Sequence, residues 1–150
     1  MNHYPAYICE NGHTVETSSP FCDSDYCSKC GARVIFQCQH CHSIIKGHEH
    51  GVSGYFHIPT YCSKCGKPYP WTSASIEATA HLVEESELDV AAQRKLIEIL
   101  PDVIAETPKT QLAAYRIQKA ICEGSKFVAE GLRQFVIEFG CELLKKQLDL

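Results

Sequence analysis

A small metal-stabilised β region followed by an all-α C-terminal helical region is the fold class this sequence predicts. Three observations carry it. Eight of the ten cysteines lie in the first 65 residues of 150. Six of them form close pairs, Cys27/Cys30, Cys38/Cys41 and Cys62/Cys65. The composition then changes near Trp71, from Cys, Gly, His and Pro to Ala, Leu, Ile, Glu, Lys and Gln.

The cysteine pairs come first, and they hold a repeat: YCSKCG stands at Tyr26–Gly31 and again at Tyr61–Gly66. Two ligands from one tight turn reach one ion, so close pairs point to metal, whereas a disulfide framework scatters its cysteines. Upstream of the repeats lie CENGH, with Cys9 and His13, and CQHC, with Cys38 and Cys41. The chain therefore offers four ligand pairs in order: Cys9/His13, Cys27/Cys30, Cys38/Cys41 and Cys62/Cys65. Zinc takes four tetrahedral ligands, so four pairs make two closed sites and two structural Zn²⁺ per chain.

Sequential pairing gives tandem zinc ribbons over residues 1–71, with ARVIF as the strand from the first site to the second. Interleaved pairing would instead give a RING-like cross-brace, the arrangement of a ligase module. Cys22 competes with His13 for the first site; CENGH makes the more compact turn. Gly31 and Gly66 follow their pairs where a positive φ is wanted. A region this small lacks the core to fold on apolar burial alone, and structural zinc contributes on the order of 10 kcal/mol to such folds.

KPYPW (Lys67–Trp71) leads into the helical region, residues 72–150, where three or four helices are expected. Thr72 or Ser73 caps a first helix to about Glu85. Ser86 and Asp89 resemble a capping box for a second, whose apolar face is Leu88, Ala92, Leu96, Ile99 and Leu100. Pro101 ends or kinks it. Thr107-Pro108 starts the next. From Lys109 the apolar positions run through Leu143 as one helix or two, with Gly124 the weak point. The long apolar face from Ile121 to Leu144, with Phe127, Phe135 and Phe139, makes homo-oligomerisation a hypothesis.

The charge excludes a polycation: 14 Lys+Arg stand against 18 Asp+Glu, a net charge of -4. Residues 1–72 hold five of each sign, so the helical half carries the excess. Seven thiolates and two Zn²⁺ add about -3, which weakens non-specific binding to polyanions. Lys119, Lys126 and Arg133 recur every seven residues with Arg116 nearby, and Glu123 and Glu130 stand where they would pair with the two lysines. No run of about 18–20 apolar residues spans a membrane, and no signal peptide is visible. With free thiols, a reducing, cytoplasmic setting is expected.

Other chemistry finds little footing. GHEHG (Gly47–Gly51) with His57 reads as a hairpin tip rather than a third metal site. The zinc-deaminase spacing fails, since Glu49 directly follows His48 and Pro59 stands three before Cys62. No hydrolase elbow, Walker loop or metalloprotease helix is present, and no catalytic residues emerge. Cys122 and Cys141 read as small apolar residues.

The stretches YICENGH, YCSKCG, CQHC and YCSKCGKPYPW, followed by LPDVIAETPKTQLAAYRIQKA, resemble a family of uncharacterised bacterial proteins. The resemblance covers most of the chain and implies two N-terminal zinc ribbons with a helical C-terminal part. It implies Cys9, Cys27, Cys30, Cys38, Cys41, Cys62 and Cys65 as metal ligands, and His13 matches the family's turn. His42 departs from the glycine usual after a knuckle. The resemblance implies no activity.

The expected function is a protein-interaction adaptor built on structural zinc ribbons. The alternative is a nucleic-acid-binding ribbon protein, with Tyr26, Phe36, Tyr55, Phe56, Tyr61, Tyr69 and Trp71 as stacking candidates.

Overall fold

Residues 2–150 are described here from a computed structural model. The chain divides into two compact units, residues 1–74 and 75–150.

The first unit is built from short strands because its sequence changes direction every few residues at Gly, Pro and the cysteine turns. The strands are β1 (His3–Pro5), β2 (Tyr7–Cys9), β3 (Thr14–Glu16), β4 (Val34–Ile35) and β5 (Lys46–Glu49). Two antiparallel sheets result, β1–β5 and β3–β2–β4. The β4 strand is the centre of ARVIF, and Ile8 of β2 faces Ile35 of β4 in register.

One small core serves this unit: Ala6, Ile8, Ile35, Ile45, Tyr69 and Trp71 pack with the buried thiols Cys38 and Cys62. The aromatics of KPYPW are thus core residues rather than a bare connector. Tyr69 and Trp71 stack at 4.8 Å, and the Trp71 indole N–H donates to the Pro59 carbonyl at 2.8 Å. Burial raises the Tyr69 phenol above its ordinary range, and the nearby Cys62 thiol adds to the effect.

GHEHG is not a hairpin tip. Its first three residues belong to β5, paired with β1. Gly47 there lies against the carbonyls of Thr17, Pro5 and Tyr4, within 2.6–3.0 Å of where a Cβ would stand, so no larger residue fits.

Among the described residues five helices follow, one more than the upper expectation. Helix α1 (Pro70–Glu84) starts two residues before the expected Thr72, with Pro at its first position. Thr72 is buried and donates to the Thr60 carbonyl at 2.7 Å instead of capping. Helix α2 (Val90–Ile104) is capped by Asp89, whose carboxylate accepts from the Ala92 amide at 2.9 Å. Ser86 is not that cap; it closes the turn after α1 by donating to the Val83 carbonyl. Pro101 lies inside α2 without ending it, and the helix runs one more turn to Ile104.

Thr107 accepts from the Lys109 amide in the turn that leads into α3 (Thr110–Glu123). Helix α4 (Lys126–Phe139) begins after Gly124, with Ser125 as its cap. A second break at Gly140 sets off α5 (Glu142–Leu148). Those two breaks divide the long apolar stretch. Phe135 is buried, Phe139 rests on it at 5.8 Å, and Phe127 stays 70% exposed.

The core of this unit comes from α2 (Leu96, Ile99, Leu100, Val103, Ile104), α3 (Ala113, Ile117) and α4 (Val128, Leu132, Val136), each at helical spacing. Leu132 is fully buried. Truncation of Leu132 to alanine is expected to cost about 2–5 kcal/mol, read from urea unfolding followed by far-UV circular dichroism.

Candidate metal centres

Four turns of one design create the sites. After Cys27 the Gly31 amide donates to the Cys27 carbonyl at 2.8 Å, and the Cys27 amide donates to the Ala32 carbonyl at 2.8 Å. The same pair of bonds recurs around Cys38, with His42 and Ser43, and around Cys62, with Gly66 and Lys67. Each of these three turns is flanked by an isolated antiparallel bridge: Tyr26 with Arg33, Gln37 with Ile44, and Tyr61 with Pro68. The turn at Cys9 is a close variant, in which the Gly12 amide donates to Cys9 and the Cys9 amide to His13.

Each turn needs one residue at positive φ: Gly12 at 90°, Gly31 at 73°, Gly66 at 73° and, in the glycine's place, His42 at 61°. The CQHC turn therefore keeps the shared geometry, and His42 bears the left-handed conformation. That conformation costs an L-residue roughly 1–2 kcal/mol.

The turns bring eight donor atoms together as two quartets, Cys9/His13/Cys27/Cys30 and Cys38/Cys41/Cys62/Cys65, each with all donor atoms within 4.8 Å of one another. The pairing is sequential, as in tandem ribbons, and not the interleaved cross-brace. Cys22 stays outside, its thiol turned to the Ser24 carbonyl.

In the first quartet Cys9 Sγ stands 3.7 Å from Cys30 Sγ, and His13 Nδ1 stands 3.5 Å from Cys9 Sγ and 3.6 Å from Cys27 Sγ. In the second, Cys38 to Cys65 measures 3.7 Å and Cys41 to Cys62 3.6 Å. A tetrahedron with metal–sulfur bonds of about 2.3 Å has sulfur–sulfur edges of about 3.8 Å, and with a nitrogen bond of about 2.0–2.1 Å its mixed edge is about 3.6 Å. Both quartets fit such an ion. Disulfide sulfurs would lie about 2.0 Å apart. The fit also assigns the facing imidazole nitrogen as Nδ1, which sequence spacing does not specify.

The electrostatics agree. Backbone amides point at the thiols, His13 to Cys9 at 3.2 Å and Lys64 to Cys62 at 3.4 Å. Cys30 is pulled down to about 6, chiefly by the backbone hydrogen bond at Ala32 and then by the Asn11 side chain. Cys62 is pulled down to about 6 by the backbone at Cys65 and Lys64. Cys65, despite a lowering bond from the Lys67 backbone, is raised to about 11 by burial and the three crowded thiols around it. Four thiols this close do not all ionise alone. A divalent cation at the centre offsets that repulsion.

The other candidate residues find different roles. His48 Nδ1 lies 2.8 Å from Thr17 Oγ1 and its Nε2 lies 3.0 Å from the Gly54 carbonyl, while the His50 ring meets Tyr4 at 4.2 Å in a tilted arrangement. Neither belongs to a third cluster among the described residues. Of the seven stacking candidates, Tyr69 and Trp71 are buried; Tyr26, Phe36 and Tyr55 are exposed. Cys122 is exposed, contrary to its expected place in the core, and Cys141 is half-buried.

Over residues 2–148 the sequence matches the family described as "uncharacterized protein conserved in bacteria", DUF2321. The chain belongs to this family. No curated protein and no solved structure matches it at a significant level. The family match covers both quartets and all five helices of this DUF2321 member, the last of which ends at Leu148.

Two outcomes follow for this DUF2321 protein. Cys22→Ser leaves metal content unchanged by elemental analysis, whereas His13→Ala and Cys62→Ser each reduce it by about one equivalent. His42→Val lowers stability by about 1–2 kcal/mol in chemical denaturation, and His42→Gly does not.

Proposed function

We propose that this protein binds two structural Zn²⁺ ions, one in each quartet, and acts as a cytoplasmic protein-interaction adaptor. The observation that carries the reading is the saturation of both quartets. Each offers four protein donors at tetrahedral spacing, and a catalytic zinc keeps a position open for water. Three cysteines with one imidazole, and four cysteines, are both familiar structural zinc sets. The metal supplies a fixed charge and a four-way cross-link; Cys9, His13, Cys27 and Cys30 would hold one ion and Cys38, Cys41, Cys62 and Cys65 the other.

The adaptor part rests on what the first unit leaves uncovered. Phe21, Tyr26, Val52 and Tyr55 are large apolar or aromatic side chains on its surface, Tyr55 at 84% exposure. Aromatic side chains of this kind are enriched at protein interfaces. No helix among the described residues is long and apolar enough to cross a membrane. On the helical unit, Phe127 and Ile137 of α4 are exposed, and they are the residues on which self-association would draw.

The test is elemental analysis of the purified protein, with two zinc and no iron per chain expected. Removal of metal by a strong chelator is expected to unfold the first unit, seen as loss of amide dispersion for residues before 75. Recovery on zinc addition completes the result. Gel shifts with single- and double-stranded nucleic acid at low salt are expected to show no complex; a salt-sensitive complex would favour the nucleic-acid alternative.

A further inference from the structure

Helices α2 and α3 enclose a cleft of about 370 Å³, walled by the first half of α2 and most of α3. On α3 the lining residues fall at Leu112, Tyr115, Arg116, Lys119 and Glu123, one face of about three turns, so the cleft is roughly 16 Å long. A five-residue connection joins the two helices, which therefore run antiparallel. Asp89 at the start of α2 and Glu123 at the end of α3 thus share one end of the cleft.

Three zones follow along its axis. The Asp89/Glu123 end is acidic. Lys95, Arg116 and Lys119 form a basic middle. Leu112 and Tyr115, 41% and 64% exposed, make an apolar end. Leu96 and Ala92 line the floor between them. None of these three cations is in an ion pair: the ion pairs among the described residues are Arg33–Glu10 and Lys145–Glu142, so the expected Lys119–Glu123 pair does not form. Arg116 is held across the cleft, its guanidinium donating to the Lys95 carbonyl at 3.1 Å. Asp89 is committed to the α2 cap.

We propose that this cleft is a docking groove for a short peptide segment of a partner protein, with acidic residues at its centre and a large apolar residue at one end. Charge complementarity selects the acids, and the exposed Leu112–Tyr115 end takes the apolar anchor. The elongated, two-helix form suits a helical or extended peptide of about three helical turns. A nucleic-acid strand carries negative charge along its whole length and would meet Asp89 and Glu123; a peptide confines its acids to the middle. The groove lies within the helical unit, so the proposal stands apart from the metal-centre reading.

The test is display selection of random 16-residue peptides on the zinc-loaded full-length protein, in parallel with the Arg116→Glu/Lys119→Glu variant. Far-UV circular dichroism establishes that the variant keeps its helices. Selected peptides are expected to be net acidic with one terminal large apolar residue. Their affinity is expected to fall at least tenfold for the variant and to fall with added salt. Amide shifts on titration of the best peptide are expected within residues 88–96 and 112–123. No enrichment, peptides without net acidity, unchanged affinity for the variant, or shifts confined to the first unit would each overturn the proposal. So would single-stranded DNA or anionic vesicles displacing the peptide from the same residues, which would assign the cations to a polyanion or a lipid surface.

Discussion

Four backbone turns, each with its amides folded back on a cysteine, set the geometry on which the first unit depends. They hold eight donor atoms in two quartets. The core that surrounds them is small, and two of its members are themselves ligand-position thiols, Cys38 and Cys62. Packing and coordination therefore share residues. A change at Cys62 removes a donor from the second quartet and a side chain from the core at once.

The same dependence explains the strain the unit carries. A left-handed histidine is an expensive choice for a turn residue, yet His42 holds the same backbone bond to Cys38 that Gly31 and Gly66 hold to theirs. A structural zinc ion held by the second quartet would contribute on the order of 10 kcal/mol, several-fold more than that cost. Gly47 is the opposite case: its constraint comes from three surrounding carbonyls, and no metal relieves it.

The helical unit relies on different physics. Its helices bury one face each at spacings of three and four, and their ends are set by local chemistry: Asp89 and Ser125 accept amide hydrogen bonds at two starts, and glycines follow two ends. Pro101 removes one i→i−4 amide donor from α2, yet the helix continues for one more turn and the Ala105 amide reaches the Pro101 carbonyl at 3.1 Å. Short helices joined by tight turns leave grooves between neighbours, and in the α2–α3 groove Lys119 forms no ion pair with Glu123 although both line it.

Spacing in the sequence alone determined the ligand pairs, the two-part organisation, the positive φ at Gly31 and Gly66 and the apolar stripes, because each depends on neighbours within one turn. Tertiary structure decided what depends on distant chain: which pair meets which, Nδ1 as the facing nitrogen of His13, the exclusion of Cys22, and the burial of Tyr69 and Trp71. It also decided that Phe127 faces outward and that Lys119 goes unpaired. Local rules name what a segment prefers; they do not say which surface arrives from elsewhere to cover it.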